Sequence, residues 1–175
     1  PDGGPVAVTV PGALSGWIAL LERYGTMSLA EVLAPAIRIA EEGFPVTPLI
    51  ARQWRDQATK LSLDVGATAT YLLEGTRGPE AGEWFQNPDL AKSFRMVATG
   101  GSEVFYGGEL GRCVVEGLAE LGGYLTLSDL ANHTIEWVDP ISTDFRGYTV
   151  WELPPAGQGV AALQMMKMME PLDLK

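Results

Sequence analysis

The 175-residue chain is 46% hydrophobic and 19% charged, the balance of a folded globular protein long enough for one domain with a sizeable core. Its formal net charge of −10 repels phosphates, which argues against nucleic acid or an anionic membrane as a partner. The single cysteine, Cys113, excludes an internal disulfide framework and any multi-cysteine metal site.

No apolar run reaches the roughly 18–20 residues that span a bilayer, and no basic, apolar leader opens the chain. The chain starts at Pro1 rather than at a methionine and closes at Lys175 directly after a helix-like segment. Both ends are therefore expected to be cuts in a longer polypeptide. Exported proteins without disulfides are common, so the compartment stays open.

In chain order, the spacing of Leu14, Trp17, Ile18 and Leu21 predicts a helix over 13–24, with Gly25 as its stop. Ser28 caps a second helix and Glu31 completes a capping box. Its apolar stripe runs from Leu29 to Ala40, ends before Gly43, and contains Pro35, which predicts a kink or a break into two helices. Thr47-Pro48 starts a third helix to about Leu61, and 67–73 forms a weaker short one before a Gly/Pro-rich loop over 75–82. Asn87-Pro88 repeats the cap-plus-proline start, with Gly100-Gly101 as the end. Leu110, Cys113, Val114, Gly117, Leu118 and Leu121 then form the most regular stripe, closed by Gly122-Gly123.

After Asp129 the texture changes to β-branched and aromatic residues, from Ile135 through Trp151. Turn signals at Asp139-Pro140 and Arg146-Gly147 divide them into two or three short strands. A last helix over 159–169 is apolar nearly all round, with Met165, Met166, Met168 and Met169, and is expected to be buried between layers. The reading is a mainly α fold: an orthogonal helical domain over 1–133, then short strands and a buried helix over 134–175.

The search for chemistry returns no site. His133 is the sole histidine, too little for a paired-histidine metal site, and reads as a capping or surface residue. Cys113 lies within an apolar stripe, where a thiol behaves as a small buried hydrophobe. Glu41-Glu42 and Asp139 with Asp144 are carboxylate pairs that read as solvated faces and turns. The run Pro154-Pro155-Ala156-Gly157-Gln158-Gly159 precedes a helix without the Lys-Ser/Thr of a phosphate loop. Catalytic, substrate-binding and metal residues are all read as none, and no cofactor is expected.

Several ordered stretches resemble the gamma-glutamyltransferase (gamma-glutamyltranspeptidase) family of N-terminal nucleophile hydrolases. They are Val8-Thr9-Val10-Pro11-Gly12, Ser15-Gly16-Trp17, Tyr24-Gly25-Thr26, Leu33-Ala34-Pro35-Ala36-Ile37 and Ala40-Glu41-Glu42-Gly43-Phe44. Asn87-Pro88-Asp89-Leu90-Ala91, Phe105-Tyr106-Gly107-Gly108, Gly122-Gly123-Tyr124-Leu125-Thr126, Asp129-Leu130-Ala131, Arg146-Gly147-Tyr148 and Glu152-Leu153-Pro154-Pro155 complete the series. Where most of the family carries three prolines and serines, this chain has Pro154-Pro155 followed by Ala156-Gly157-Gln158-Gly159. That departure resembles a branch acting on other small amides.

The resemblance implies an internal fragment of the large subunit of a precursor that cuts itself before a threonine. The new terminal threonine would be the nucleophile and its own amine the base, giving an acyl-enzyme that transfers or hydrolyses a γ-glutamyl or similar group. The resemblance places that threonine downstream of this chain and the substrate-gripping arginine upstream. The implied partners are the remainder of the large subunit, the small catalytic subunit and a small-molecule substrate. A non-catalytic structural module sharing the domain is the alternative reading.

Overall fold

In the computed structural model, residues 4–173 are described; Pro1 and Lys175, the expected cut ends, lie outside them. After a 3-10 turn at Pro5–Ala7 come α1 (Ala13–Tyr24), α2 (Leu29–Glu42), β1 (Phe44–Pro45), α3 (Pro48–Leu61) and α4 (Val65–Tyr71). Then follow β2 (Trp84–Phe85), α5 (Pro88–Gly100), α6 (Glu103–Tyr106), α7 (Glu109–Glu120) and α8 (Leu127–Ala131). The last elements are β3 (Ile141–Phe145), β4 (Tyr148–Glu152) and α9 (Gly159–Met169). The fold is mainly α, and the chain separates into two compact units, Pro1–Thr134 and Ile135–Lys175.

Helix starts follow from capping chemistry. Ser28 Oγ accepts from Glu31 N–H at 3.3 Å while Glu31 Oε2 accepts from Ser28 N–H at 2.7 Å, a reciprocal capping box. Thr47 and Asn87 accept from the N–H three residues on, each ahead of a proline at the first helical position. Asp64 accepts from Ala67 N–H at 2.7 Å and so starts α4 earlier than the apolar pattern suggests.

Pro35 neither ends nor divides α2, which continues unbroken to Glu42. A proline here removes one backbone donor, but α2 packs against α5 more extensively than any other pair of elements does. Asn87, Ala91 and Arg95 lie one turn apart on α5. Asn87 N–H donates to Ala40 O at 2.8 Å, and Arg95 pairs with Glu41. Ala91 between them is fully buried, and Leu33, Ala40 and Val97 complete this part of the core.

Strands β1 and β2, two residues each and invisible to any periodicity, pair antiparallel as Phe44↔Phe85 and Pro45↔Trp84. Trp54 of α3 packs edge-on to Phe85 at 4.6 Å, and Tyr71 stacks over Phe85 at 6.4 Å. Gly43 turns into β1 at φ 86, where a Cβ would stand 2.4 Å from Trp84 Nε1, so only glycine fits. Farther on, α7 crosses α6 at Gly111, where a Cβ would meet Phe105 O at 2.0 Å, and Leu130 of α8 is wholly buried beside it.

In the second unit, β3 and β4 form a hairpin from Ile141↔Glu152 to Phe145↔Tyr148. Arg146 (φ 51) and Gly147 (φ 85) supply the paired left-handed conformations of its two-residue turn. No third strand forms over 135–138 among the described residues. Helix α9 packs on the hairpin through one face only: Leu163 is buried, whereas Met165 and Met168 are exposed. The hairpin is too small to cover more than one side of α9, so the methionine side stands open among the described residues.

The loop before β2 is tied by a two-pronged ion pair. Arg77 donates to both carboxylate oxygens of Glu83, at 2.6 and 3.0 Å, and Glu80 N–H donates to the same carboxylate. The Arg77 hydrogen bond, then that of Glu80, holds the Glu83 pKa at about 2 rather than 4.5. A depressed carboxyl stabilises the fold above its unfolded pKa and loses this as pH falls through its folded one. In urea melts, Glu83→Gln should therefore be less stable than the parent at pH 5, with the gap closing between pH 4.5 and 2. A gap independent of pH would show that the pair does not stabilise the loop.

Candidate functional site

The residues that sequence reasoning weighed are dispersed rather than gathered. Glu41 pairs with Arg95, Glu42 with Arg38 one turn away at 3.6 Å, and the Glu42 carbonyl accepts from Trp84 and Gln86. Asp144 accepts from Thr149 Oγ1 at 2.8 Å within the hairpin, and Asp139 is exposed on the way into β3. Residues 154–158 form a turn that leaves α9 without a side-chain cap. Among the described residues no cluster of three His, Cys, Asp or Glu side chains is placed to hold a metal ion.

Cys113 corrects an expectation: its thiol is free and exposed rather than buried. The stripe it belongs to does face inward, but onto a hollow. A cavity of about 470 Å³ opens between α1, α2, α5, α6 and α7, and Leu110, Cys113 and Val114 line its wall. These side chains are half-buried or exposed because no side chain of the described residues fills the space opposite them.

One polar constellation does converge, and sequence reasoning missed it. His133, just beyond α8, stacks on the buried Tyr106 of α6 with ring centroids 5.0 Å apart. Its Nε2 lies 2.8 Å from Ser15 Oγ in the first turn of α1. The Tyr106 hydroxyl donates to Pro11 O at 2.7 Å and accepts from Ser15 N–H at 3.2 Å. The members lie 91 and 118 positions from Ser15, beyond the reach of any local pattern. The only signal was that Ser15 and Tyr106 fall in stretches carrying the family resemblance.

Ser15 Oγ lies 2.8 Å from Gly12 O and 2.8 Å from His133 Nε2, and its single hydroxyl proton can serve either contact. With that proton on Gly12 O, His133 Nε2 carries the hydrogen and donates to Oγ. A nucleophilic serine needs the opposite arrangement, with the imidazole accepting the hydroxyl proton. No carboxylate is hydrogen-bonded to His133 among the described residues. In either tautomer the constellation clamps the entry of α1 to α6 and to the end of α8, so His133 is more than a plain cap.

Comparison with known proteins bears on the whole chain. A family model described as Gamma-glutamyltranspeptidase matches residues 1–175. The Acylase ACY 1 proenzyme of Pseudomonas sp. (strain SE83) is 42% identical over 172 residues, covering 98% of this chain and 31% of that protein. The Glutathione hydrolase-like YwrD proenzyme of Bacillus subtilis (strain 168) is 37% identical, covering 95% and 32%. The crystal structure of cephalosporin acylase from Bacillus halodurans superposes with a TM-score of 0.87 at 41% identity, over 97% of this chain and 32% of that one. The chain thus spans about a third of the length of these relatives.

If the clamp is structural, removing the Tyr106 hydroxyl leaves Pro11 O and Ser15 N–H without their partner. Tyr106→Phe should cost about 1–3 kcal/mol in urea unfolding. An unchanged midpoint and slope would show that the clamp does not hold the two elements.

Proposed function

The chain belongs to the gamma-glutamyltranspeptidase family, and on that premise we propose that it is a helical part of the large subunit of an amide-cleaving proenzyme. The observation carrying this reading is the family match over residues 1–175. The complete enzyme hydrolyses or transfers an acyl group through a threonyl acyl-enzyme. The terminal threonine hydroxyl attacks the amide carbonyl, its α-amine takes the hydroxyl proton, and the leaving amine departs protonated. Water or an acceptor amine then releases the acyl group. Nucleophile and substrate-binding arginine are supplied from outside residues 1–175, so this chain contributes the scaffold.

Local chemistry supports a non-catalytic role. The sole histidine is engaged in the clamp with Ser15 and Tyr106, and Cys113 is a free, exposed thiol with no hydrogen-bonded basic neighbour among the described residues. The partners in this reading are the rest of the large subunit and the small catalytic subunit, with the two units of this chain belonging to one larger subunit.

A second reading concerns the acyl donor: a small amide other than a γ-glutamyl one. It is favoured by the higher identity to the acylase proenzyme than to the glutathione hydrolase-like one. The run Ala156-Gly157-Gln158-Gly159 after the proline pair points the same way.

The test assays the complete gene product beside residues 1–175, with a γ-glutamyl anilide and with an acylated β-lactam amine as donors. The complete product should mature into two chains and carry the acyl group on its new terminal threonine, seen by intact mass, whereas residues 1–175 turn over neither donor. Preference for the second donor selects the acylase reading. Turnover by residues 1–175 that is lost in His133→Gln or Cys113→Ala would overturn the scaffold assignment.

A further inference from the structure

We propose that Tyr106 and His133 are positioning residues for the reaction of the complete enzyme, because together they fix the junction through which the chain upstream of Gly12 joins the helical unit. The proposal rests on the reading above, in which the substrate-binding arginine precedes this chain and the nucleophilic threonine follows it. Helix α1 is not held in place by burial. None of its residues is buried, and Trp17, Leu20 and Tyr24 are exposed. Among the described residues, the segment 9–12 has a single hydrogen bond to an element other than α1, the one that the Tyr106 hydroxyl donates to Pro11 O at 2.7 Å.

The same hydroxyl accepts from Ser15 N–H at 3.2 Å, so one side chain grips the chain on both sides of Gly12. Ser15 Oγ meets His133 Nε2 at 2.8 Å. The His133 ring also closes over the turn, since a Cβ on Gly12 would stand 3.5 Å from its Cε1, in ordinary contact. With no buried side chain in α1 to share the task, these polar contacts set where the incoming chain lies.

The gripping side is itself well anchored. Tyr106 is buried on α6, and α7 lies so close to α6 at Gly111 that no side chain fits between them. His133 N–H donates to Leu130 O at 3.1 Å, Leu130 is wholly buried, and the Thr126–Asp129 capping box starts α8. Truncating the His133 side chain therefore frees the incoming chain at 11–15 and leaves the outgoing main chain tied to α8. A reacting or binding group displaced by about 1 Å can cost roughly 100-fold. Here the displacement falls on the upstream side, on the grip of the donor rather than on attack by the threonine. KM rises, while kcat and maturation stay those of the parent.

Steady-state kinetics of the complete gene product test this, with whichever of the γ-glutamyl anilide and the acylated β-lactam amine the parent enzyme turns over. His133→Ala and Tyr106→Phe should each raise KM about tenfold at unchanged kcat. His133→Gln, whose amide N–H can donate to Ser15 Oγ, should regain most of the loss, which it could not do for a proton-transferring imidazole. Glu83→Gln, which loosens the distant loop before β2, should keep the parent's KM. If His133→Ala does not fold, Ser15→Ala removes the same contact and carries the same expectation. Unchanged KM in the folded clamp variants, an equal rise in Glu83→Gln, a loss in kcat alone, or no recovery in His133→Gln would each overturn the proposal. Acylation of the threonine is scored in the same samples by intact mass. A parent that acylates normally while the clamp variants keep its KM sinks this proposal alone, whereas a parent that never acylates sinks the functional reading and the proposal with it.

Discussion

The first unit is organised by the close approach of α2 and α5. That approach is possible because Ala91 offers only a methyl group where the two helices meet, and it is fully buried there. The hydrogen bond from Asn87 N–H to Ala40 O below it and the Arg95–Glu41 pair above it fix the register. Small side chains at a helix crossing permit short interaxial distances, and any larger group must push the helices apart or leave its rotamer well. The same packing explains why Pro35 is tolerated. One missing backbone bond costs less than the burial of Leu33 and Ala40 on either side of it contributes.

The remaining parts of the unit attach to this pair. Gly43 delivers the chain from α2 into β1, whose pairing with β2 returns it to Asn87 at the start of α5. The aromatic cluster around Phe85 packs α3 and α4 onto that connection. Beyond α5, α7 crosses α6 at Gly111, α6 carries Tyr106, and Tyr106 with His133 clamps the start of α1. The single histidine thus ties α1 to α6 and the end of α8.

Legibility in the sequence tracked how local each cause is. Helix caps at Ser28, Thr47 and Asn87 act within three residues, and all three appear where the side chains dictate. Asp64 shows the limit, since its cap began α4 before the apolar pattern did. Strands of two residues carry no period and were not readable. The clamp joins residues 91 and 118 positions apart, so hydropathy could not reveal it, although Ser15 and Tyr106 sit in the ordered family stretches. Cys113 was misread as buried, and the methionine side of α9 stands open, for a shared reason. An apolar stripe tells which face seeks cover, not whether the described residues supply it.

The account as a whole stands or falls with the α2–α5 contact, and a thermal melt of Ala91→Leu addresses it directly. Three added carbons at a fully buried position should cost about 1–3 kcal/mol and lower the midpoint by roughly 2–12 °C, with the unfolding still cooperative. A midpoint equal to that of the parent protein would show that the helices do not meet at Ala91, and the arrangement built on their contact would have to be abandoned.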